Sequence, residues 1–461
     1  MRRVLFLALL LGGCAVGPDY RPPQVTAGPL PFVPTAVAQA DPVRPDWWRL
    51  YGDPALDQLV AEAIAANTDL RVAEANFDAA RAALRQSQAA RLPATQAIAG
   101  GTYGRSTTTT QIADAAGHAA SDTWLYEAGF DMAYEVDLFG RVRRAVEASR
   151  DDAAAAGAAR DAVRIAIVAE TVRDYADACA LGSQIDVANN ALTIAERAHA
   201  IVRQQADAGG ASAFDVARQA ATVARTRATL PMLEGDRRAA LFALAAMLGR
   251  TPDRIPPAAA QCRAAPEIAG PVAVGDGAAL LARRPDVRAA ERRMAAASAR
   301  IGVAKAELLP RITLAGSVTS VAPSVSALPD HGATSFGLGP LISWTFPNVA
   351  AAQARIRYAR AQDRAAIAQY DGVTLDALRD VEQALARYAG AVDHERELAG
   401  AERQARIAFD LARTRQSAGA ISQLELSLAE DAWTEARMAV AAADTARADL
   451  LIAVFKALGA G

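Results

Sequence analysis

The chain has 461 residues, of which 52% are hydrophobic, 22% charged and 5% aromatic, and its formal net charge is −2. This balance excludes a nucleic-acid binder held by a basic surface, and the high apolar fraction excludes a disordered chain. Three cysteines and four histidines predict neither a disulfide framework nor a metal centre. We interpret Cys179 as a buried small residue and Cys262 as a linker residue.

The N-terminus has the pattern of a secretory signal that ends at a cysteine. Two arginines precede the apolar run 4–11, and Leu-Gly-Gly-Cys ends at Cys14. This run is too short to span a bilayer as a helix, which takes roughly 20 residues, so we assign 1–13 to a signal peptide. The small residues before Cys14 resemble the lipobox of bacterial lipoproteins, which implies a lipidated N-terminus; an ordinary cleavage site is the alternative. Ala15 after the cysteine implies sorting to the outer membrane.

A proline-rich segment precedes long stretches with helical periodicity. Residues 14–46 contain eight prolines, which block helix and central strand alike and predict an extended, lipidated tether. The periodicity then predicts helices over about 55–91, 141–208, 213–248, 280–308, 349–417 and 423–458. The proline-free stretch 141–208 would extend roughly 100 Å as one helix, a length that indicates coiled-coil packing.

The chain contains an internal duplication. Residues 71–74 correspond to 288–291, and the turn at Gly209 corresponds to the turn at Gly419. Each copy therefore consists of a helix, two strands and a helical hairpin. The predicted domains are a first repeat, 47–250, a linker, 251–275, and a second repeat, 276–461. Two elongated copies indicate an array that closes through neighbouring chains. They fit a compact enzyme domain less well.

Short segments between the helices alternate with the period of a β-strand. In 124–136 the even positions are aromatic or aliphatic and the odd positions include acids, and 312–319 and 335–346 alternate similarly, whereas 95–106 is weaker. This pattern is typical of tilted transmembrane strands, the alternative being a half-buried soluble sheet. The predicted lipid-facing residues are Trp124, Tyr126, Phe130, Tyr134, Phe336, Ile342, Trp344 and Phe346. Pro340 on this face predicts a bulge or local break.

Four strands cannot close a pore by themselves. An open sheet in lipid leaves two edges of unpaired backbone groups, each of which costs several kcal/mol. Closure must therefore come from other copies of the chain. Three copies would give twelve strands and an aqueous lumen. The cost of unpaired edges requires oligomerisation, but it does not determine the number of copies.

Three motifs resemble those of a known family. They are Cys14-Ala15-Val16-Gly17-Pro18-Asp19-Tyr20, Trp47-Trp48 and Arg283-Arg284-Pro285-Asp286-Val287-Arg288-Ala289-Ala290-Glu291. With the duplication, they resemble the outer-membrane efflux protein family, in particular the TolC-like lipoproteins that work with resistance-nodulation-division pumps. The resemblance implies a homotrimeric, mixed α/β membrane protein. Its transmembrane β-barrel, with four strands per chain, would continue into a long α-helical periplasmic barrel.

The resemblance also implies a function, a location and partners. The expected function is that of a passive outer-membrane conduit that exports small molecules, such as drugs and toxic compounds. The expected partners are a periplasmic adaptor, an inner-membrane resistance-nodulation-division pump and outer-membrane lipid, without nucleic acid. The chain would be lipid-anchored in the bacterial outer membrane and extend into the periplasm.

The two turns between long helices are the predicted periplasmic tips, 206–214 and 416–424. Their glycines tolerate positive φ, and plain helix capping is a compatible interpretation. The family implies that these turns dock the adaptor. The candidate docking residues are Gly209, Gly210, Phe214, Asp215, Gly419, Leu424 and Glu425. Relatives often carry an acidic ring where Leu428 aligns here, so the candidate gate is a hydrophobic constriction at Leu428 or acid from Glu425 or Glu430.

An enzyme has little support in this sequence. His394-Glu395 lacks the second histidine of a zinc-protease motif, and no phosphate-binding glycine loop is present. We therefore predict no catalytic residues and no cofactor apart from the covalent lipid on Cys14. The alternatives are a conduit for protein secretion with an ABC-type exporter, and an envelope-tethering lipoprotein that transports nothing.

Overall fold

The computed structural model describes residues 15–23, 32, 37–39, 41–105, 107–117, 119, 121–268, 270–346 and 349–461. The predicted signal peptide 1–13 and the predicted lipidation residue Cys14 lie outside the described residues. The chain forms two compact units, each assembled from three segments. The sheet unit comprises Met1–Pro23, Phe77–Ala156 and Ala290–Tyr370, and the helical unit comprises Gln24–Asn76, Gly157–Ala289 and Asp371–Gly461.

Long α-helices make up most of the described chain. The helices are α1 (Pro54–Ala66), α2 (Thr68–Ala89), α3 (Thr107–Ala115), α4 (Arg141–Asp207), α5 (Ala213–Met247), α6 (Pro257–Gln261), α7 (Gly277–Arg283), α8 (Pro285–Ala306), α9 (Val349–Ser417) and α10 (Gln423–Ala457). The predictions for α4, α5, α9 and α10 are confirmed to within one residue at each end. No helix in the described ranges combines the length and apolar character needed to cross a membrane.

Two helices that the sequence predicts as continuous are each divided. The predicted helix 55–91 breaks at Asn67, whose backbone is extended and whose Oδ1 accepts the N–H groups of Asp69 at 2.9 Å and Leu70 at 3.2 Å. A side chain that caps a helix start replaces the bonds of a continuous helix. The predicted helix 280–308 breaks at Arg284, because the residue before Pro285 is pushed out of the helical conformation.

Four of the strands form one antiparallel sheet in the sheet unit. The strands are β1 (Ala38–Gln39), β2 (Ala94–Gly104), β3 (Thr123–Val136), β4 (Val272–Ala273), β5 (Arg311–Ala322) and β6 (Thr334–Ser343). The sheet has the order β2-β3-β5-β6, so β2 and β6 are its edges. The four predicted strands are thereby confirmed, whereas α3, between β2 and β3, is an element that the sequence analysis missed.

Pro340 causes no bulge, so the predicted irregularity is wrong. It pairs with Leu314 within an unbroken register from Arg311 and Ser343 to Ser320 and Thr334. β6 has a neighbour on one side only within this chain. A proline whose nitrogen faces away from that neighbour removes no bond of the β5–β6 ladder, and it cannot donate to a strand on its other side.

The core of the helical unit joins Trp47 to the C-terminal end of the chain. Trp47 is fully buried and stacks on Phe455 with ring centroids 4.5 Å apart. Its indole Nε1 donates a hydrogen bond to the carbonyl of Ala460 at 3.2 Å. A buried tryptophan combines a large apolar area with one polar atom that needs a partner, and both requirements are met here.

The Arg-Arg-Pro-Asp motif fastens the C-terminal end of α10. Arg283 donates from Nε to the carbonyl of Leu458 at 2.9 Å, and Arg284 donates from Nη1 to that of Ala457 at 3.1 Å. Asp286 holds the Arg284 guanidinium by two hydrogen bonds of 3.0 and 2.6 Å. The last carbonyls of a helix lack intrahelical partners and carry partial negative charge, so cationic donors stabilise them.

Residues 15–23 of the predicted tether pack within the sheet unit. The backbone N–H of Val16 donates to the carbonyl of Phe139 at 3.1 Å, and Arg144 forms an ion pair with Asp19 at 2.6 Å. Gly17 has a φ of +115°, and a Cβ there would lie 2.5 Å from the Cα of Gly302. Only a glycine allows these two backbones to approach so closely.

Cys179 and Cys262 form a disulfide, which corrects the interpretation of both as unpaired residues. Cys179 lies on α4 and Cys262 directly follows α6, at a sequence separation of 83. Arg237 on α5 strengthens the same junction, because its guanidinium donates to the carbonyls of Ala178, Ala260 and Cys262. The predicted linker 251–275 is thus fastened to the helices at this point.

We predict that the double variant Cys179→Ala/Cys262→Ala loses about 2–4 kcal/mol of the free energy of unfolding, because a disulfide restricts the unfolded chain. Denaturant unfolding followed by circular dichroism measures this loss. A reductant should reproduce the loss in the unaltered protein and have no effect on the variant. Equal unfolding midpoints for both proteins under oxidising conditions would contradict the prediction.

Candidate functional site

One face of the sheet collects most of the residues predicted to contact lipid. Phe130 pairs with Val318, and Val318 pairs with Phe336. Directly paired residues in an antiparallel sheet project to the same side, so this apolar face continues across three strands. Six predicted residues lie on it: Trp124, Tyr126, Phe130, Tyr134, Phe336 and Ile342. In the single chain Phe336 is 85% exposed, which is unusual for so large an apolar side chain.

The other two predicted lipid-facing residues lie beyond the end of the sheet. Trp344 and Phe346 follow β6, which ends at Ser343, and their rings are 5.1 Å apart. The Trp344 indole donates to the carbonyl of Leu308 at 3.1 Å. Near the other end of the sheet, Tyr103 and Trp124 are 5.6 Å apart. Aromatic pairs at both ends of an apolar face are typical of the two interfaces of a membrane.

The opposite face of the sheet is polar. Asp131 pairs with Gln96 on one side and with Ser317 on the other. Glu135 pairs with Thr313 near the end of β3. A sheet with an apolar and a polar face can separate hydrocarbon from water. Its orientation toward lipid remains a prediction.

The two predicted tips have the same backbone geometry. Gly209 has a φ of +78° and Gly419 a φ of +70°. The next N–H group reaches back five residues in both turns, from Gly210 to Gln205 at 2.7 Å and from Ala420 to Arg415 at 2.9 Å. This is the hydrogen bond that closes a helix through a left-handed glycine. The internal duplication thus extends to the conformation of the turns.

The acidic residues predicted at the tips cap the outgoing helices. The Ser212 hydroxyl accepts the N–H of Asp215 at 3.2 Å, while the Asp215 carboxylate accepts the Ser212 N–H at 3.1 Å. Ser422 and Glu425 repeat this capping box at 3.3 and 2.8 Å. Hydrogen bonds from Ser212 lower the pKa of Asp215, and those from Ser422 lower the pKa of Glu425. The Ser-x-x-Asp/Glu spacing is a sequence signal that the sequence analysis missed.

Apolar side chains at the tips are exposed in the single chain. Phe214 is 72% exposed and Leu428 is 59% exposed, and Leu424 is also exposed. The guanidinium of Arg218 lies 5.7 Å from the centroid of the Phe214 ring. Burial, aided by the neighbouring Asp431, raises the pKa of Glu430 to about 7. The tip region therefore combines uncovered apolar groups with one carboxyl that is easily protonated.

Each hairpin is joined by polar contacts between its helices. In the first hairpin, Arg227 on α5 forms an ion pair with Glu196 on α4 at 2.6 Å. In the second, the indole Nε1 of Trp433 on α10 donates to Glu402 on α9 at 2.8 Å, and Phe409 stacks on the same indole at 5.0 Å. These contacts hold the two helices of each hairpin in register, and so fix the turn at its end.

The helical unit also contains buried acidic groups that the sequence analysis did not single out. Asp174 is buried, and one of its carboxylate oxygens has no hydrogen-bond partner in the part of the chain that the structure describes. Burial raises the pKa of Asp174 and the pKa of Asp177 to about 7, with nearby acids adding to the effect. Within the described ranges, no group of three or more potential ligands has the arrangement of a metal site.

Known proteins resemble this chain along nearly its whole length. The family model described as outer membrane efflux protein matches residues 59–250 and 278–460. The outer membrane protein OprJ of Pseudomonas aeruginosa is 30% identical over 99% of this chain and 95% of its own length. The probable efflux pump outer membrane protein TtgC of Pseudomonas putida is 28% identical over 98% of this chain and 94% of its own length.

Solved structures show the same fold. The outer-membrane channel OprN has a TM-score of 0.88 at 31% identity and covers 97% of this chain with 99% of its own. The open state of the Neisseria gonorrhoeae MtrE channel has a TM-score of 0.83 at 26% identity and covers 97% of this chain with 98% of its own. These likenesses confirm the fold class and the family resemblance predicted from the sequence.

We predict that Phe130→Arg costs about 2–4 kcal/mol of stability in the membrane, because it places a cation on the apolar face near the bilayer midplane. The yield of membrane-inserted oligomer that resists dissociation on gels is the measurement. Ser317→Arg is the matched control, since Ser317 lies beside Val318 in β5 but on the polar face. Equal yields of the two variants would mean that the apolar face does not contact lipid.

Proposed function

The chain belongs to the outer membrane efflux protein family, and from this premise we propose that three copies form the outer-membrane conduit of a tripartite efflux system. The observation that carries the proposal is the amphipathic sheet with two unpaired edges, β2 and β6. A second copy of the chain offers the matching edges, and twelve strands enclose a lumen wide enough for water. The polar face, with Asp131 and Glu135, would line that lumen.

The proposed route runs from an inner-membrane resistance-nodulation-division pump through a periplasmic adaptor into the conduit. Two observations support docking of the adaptor at the tips. The turns at Gly209 and Gly419 are held rigidly by their backbone bonds, and Phe214 and Leu424 present uncovered apolar surface beside them. Exposed apolar groups on a rigid element are typical of a protein interaction site.

We assign the closing gate to the first two turns of α10. Leu428 is exposed in the single chain, so copies around a threefold axis could form a hydrophobic constriction there. Glu430 lies two residues further, and its raised pKa makes its charge sensitive to periplasmic pH. The cargo is expected to be small toxic compounds. Selectivity among them would belong to the pump, because a wide aqueous conduit binds its cargo weakly.

The function is tested by restoring efflux in a strain that lacks its own outer-membrane channels. The chain should raise the inhibitory concentration of pump substrates several-fold, but only together with its adaptor and pump. Gly419→Val should abolish this gain, because valine is strained at positive φ. Gly372→Val is the control, since Gly372 lies within α9 with open space around its Cα.

Single-channel recordings separate the conduit from its alternatives. The purified oligomer should conduct ions in planar bilayers, and Gly419→Val should still insert into membranes. A protein that never conducts and never changes resistance would be an envelope tether. Restored protein secretion without a change in drug resistance would identify a conduit for an ABC-type exporter.

We also propose that the mature chain begins at a lipidated Cys14. The apolar run 4–11 and the small residues before the cysteine support this proposal. Cys14→Ser should abolish the incorporation of labelled palmitate while leaving export across the inner membrane intact. Persisting label in this variant would place the lipid elsewhere or exclude it.

A further inference from the structure

A polar cavity lies at the end of the sheet where the strands meet the long helices. Its volume is about 320 Å³, and we call it the basal cavity. Its charged lining residues are Glu135, Arg141, Glu307, Arg311 and Arg355. They come from β3, α4, the segment after α8, β5 and α9, and all belong to the sheet unit.

The strand register fixes the side of the sheet on which the basal cavity opens. Arg311 pairs with Ser343, and the next pair along the strands, Ile312 with Ile342, belongs to the apolar face. Neighbouring residues of a strand point to opposite sides, so Arg311 lies on the polar face with Glu135. The charged side chains that β3 and β5 contribute, Glu135 and Arg311, therefore lie on the side of the proposed lumen and not of the lipid.

The lining carries one more positive than negative charge, three arginines against two glutamates. Arg141 donates two hydrogen bonds of 2.8 and 2.6 Å to the Glu135 carboxylate. The Nε atom of Arg311 lies farther away, 3.7 Å from the same carboxylate. Arg355 uses one nitrogen to hold Glu307 at 2.8 Å. Because a guanidinium has five N–H donors, Arg311 and Arg355 retain donors for another anion.

The start of α9 adds to this positive potential. Ala351 and Ala352 line the basal cavity within the first turn of α9, which begins at Val349. The first N–H groups of a helix lack intrahelical acceptors and carry partial positive charge. Two independent features, the surplus guanidinium and the helix start, thus favour a negatively charged group at one place.

The rest of the polar face has the opposite charge. Glu127 and Asp131 lie on it farther along β3, and among the described residues no arginine lies within ion-pair distance of either side chain. These carboxylates would repel an anion from the middle of the barrel. An anion in the lumen would therefore be held at the base, where the arginines are.

We propose that the basal cavity is an anion-binding subsite of the conduit, which holds a carboxylate, phosphate or sulfonate group of passing solutes between Arg311 and Arg355. The proposal rests on the proposed function, because only in a conduit does the polar face meet solute. Guanidinium groups bind such oxyanions through paired N–H donors. Exported molecules with an anionic group would thus dwell at the base of the barrel before they leave.

Single-channel recordings with inorganic pyrophosphate test the subsite. In bilayers of zwitterionic lipid, millimolar pyrophosphate should reduce the current through the unaltered oligomer. Arg311→Gln/Arg355→Gln should raise the half-blocking concentration about tenfold or more and shift the reversal potential toward cations. Arg81→Gln is the control, because the Arg81 side chain is as exposed as that of Arg311 but pairs with Asp78 on α2, outside the basal cavity.

A second variant is expected to strengthen the block, and it tests the subsite even if the arginine double variant fails to assemble. Glu307→Gln frees the Arg355 guanidinium and should lower the half-blocking concentration several-fold. Conductance without any block, or equal block in all variants, would overturn the subsite and leave the conduit intact. An unaltered oligomer that does not conduct would overturn the proposed function itself.

Discussion

Unpaired backbone at the two edges of a four-stranded sheet is the constraint on which the rest of this molecule depends. Within the described chain, β2 and β6 each have a neighbour on one side only, and in the proposed conduit hydrocarbon offers no water to satisfy the other side. A chain with this sheet therefore needs the strands of further copies to complete it. The long helices also require further copies of the chain. Hairpins as long as α4–α5 and α9–α10 bury their apolar stripes only against further helices. Both parts of the chain thus point to the same assembly.

The family motifs make structural sense because they fasten segments that are far apart in sequence. Trp47 binds the carbonyl of Ala460, and Arg284 binds that of Ala457. The glycine of the N-terminal motif, Gly17, lets the chain pass against Gly302. None of these residues lies on the polar face of the sheet or in the tip turns. The motifs that identify the family are therefore mainly those that hold its fold.

Sequence patterns predicted most of the fold and part of the site, and the misses share a physical cause. Periodicity gave the bounds of α4 and α9 because long regular elements repeat their signal many times. The break at Asn67 depends on one side-chain cap, and the disulfide depends on a meeting of Cys179 and Cys262 across 83 residues. Neither leaves a periodic trace. The basal cavity could not be predicted for the same reason, since Arg311 and Arg355 line one cavity only in the folded chain.

The tips show how one set of residues can serve stability and recognition at the same time. Asp215 and Glu425 place negative charge at the tips, yet both carboxylates are bound by serine N–H and hydroxyl groups. They stay ionised, but they point at fixed backbone groups. The side chains of Phe214 and Leu424 take no part in this capping and remain exposed. Affinity for the proposed adaptor would therefore come mainly from these apolar side chains, with the fixed charges setting orientation and association rate.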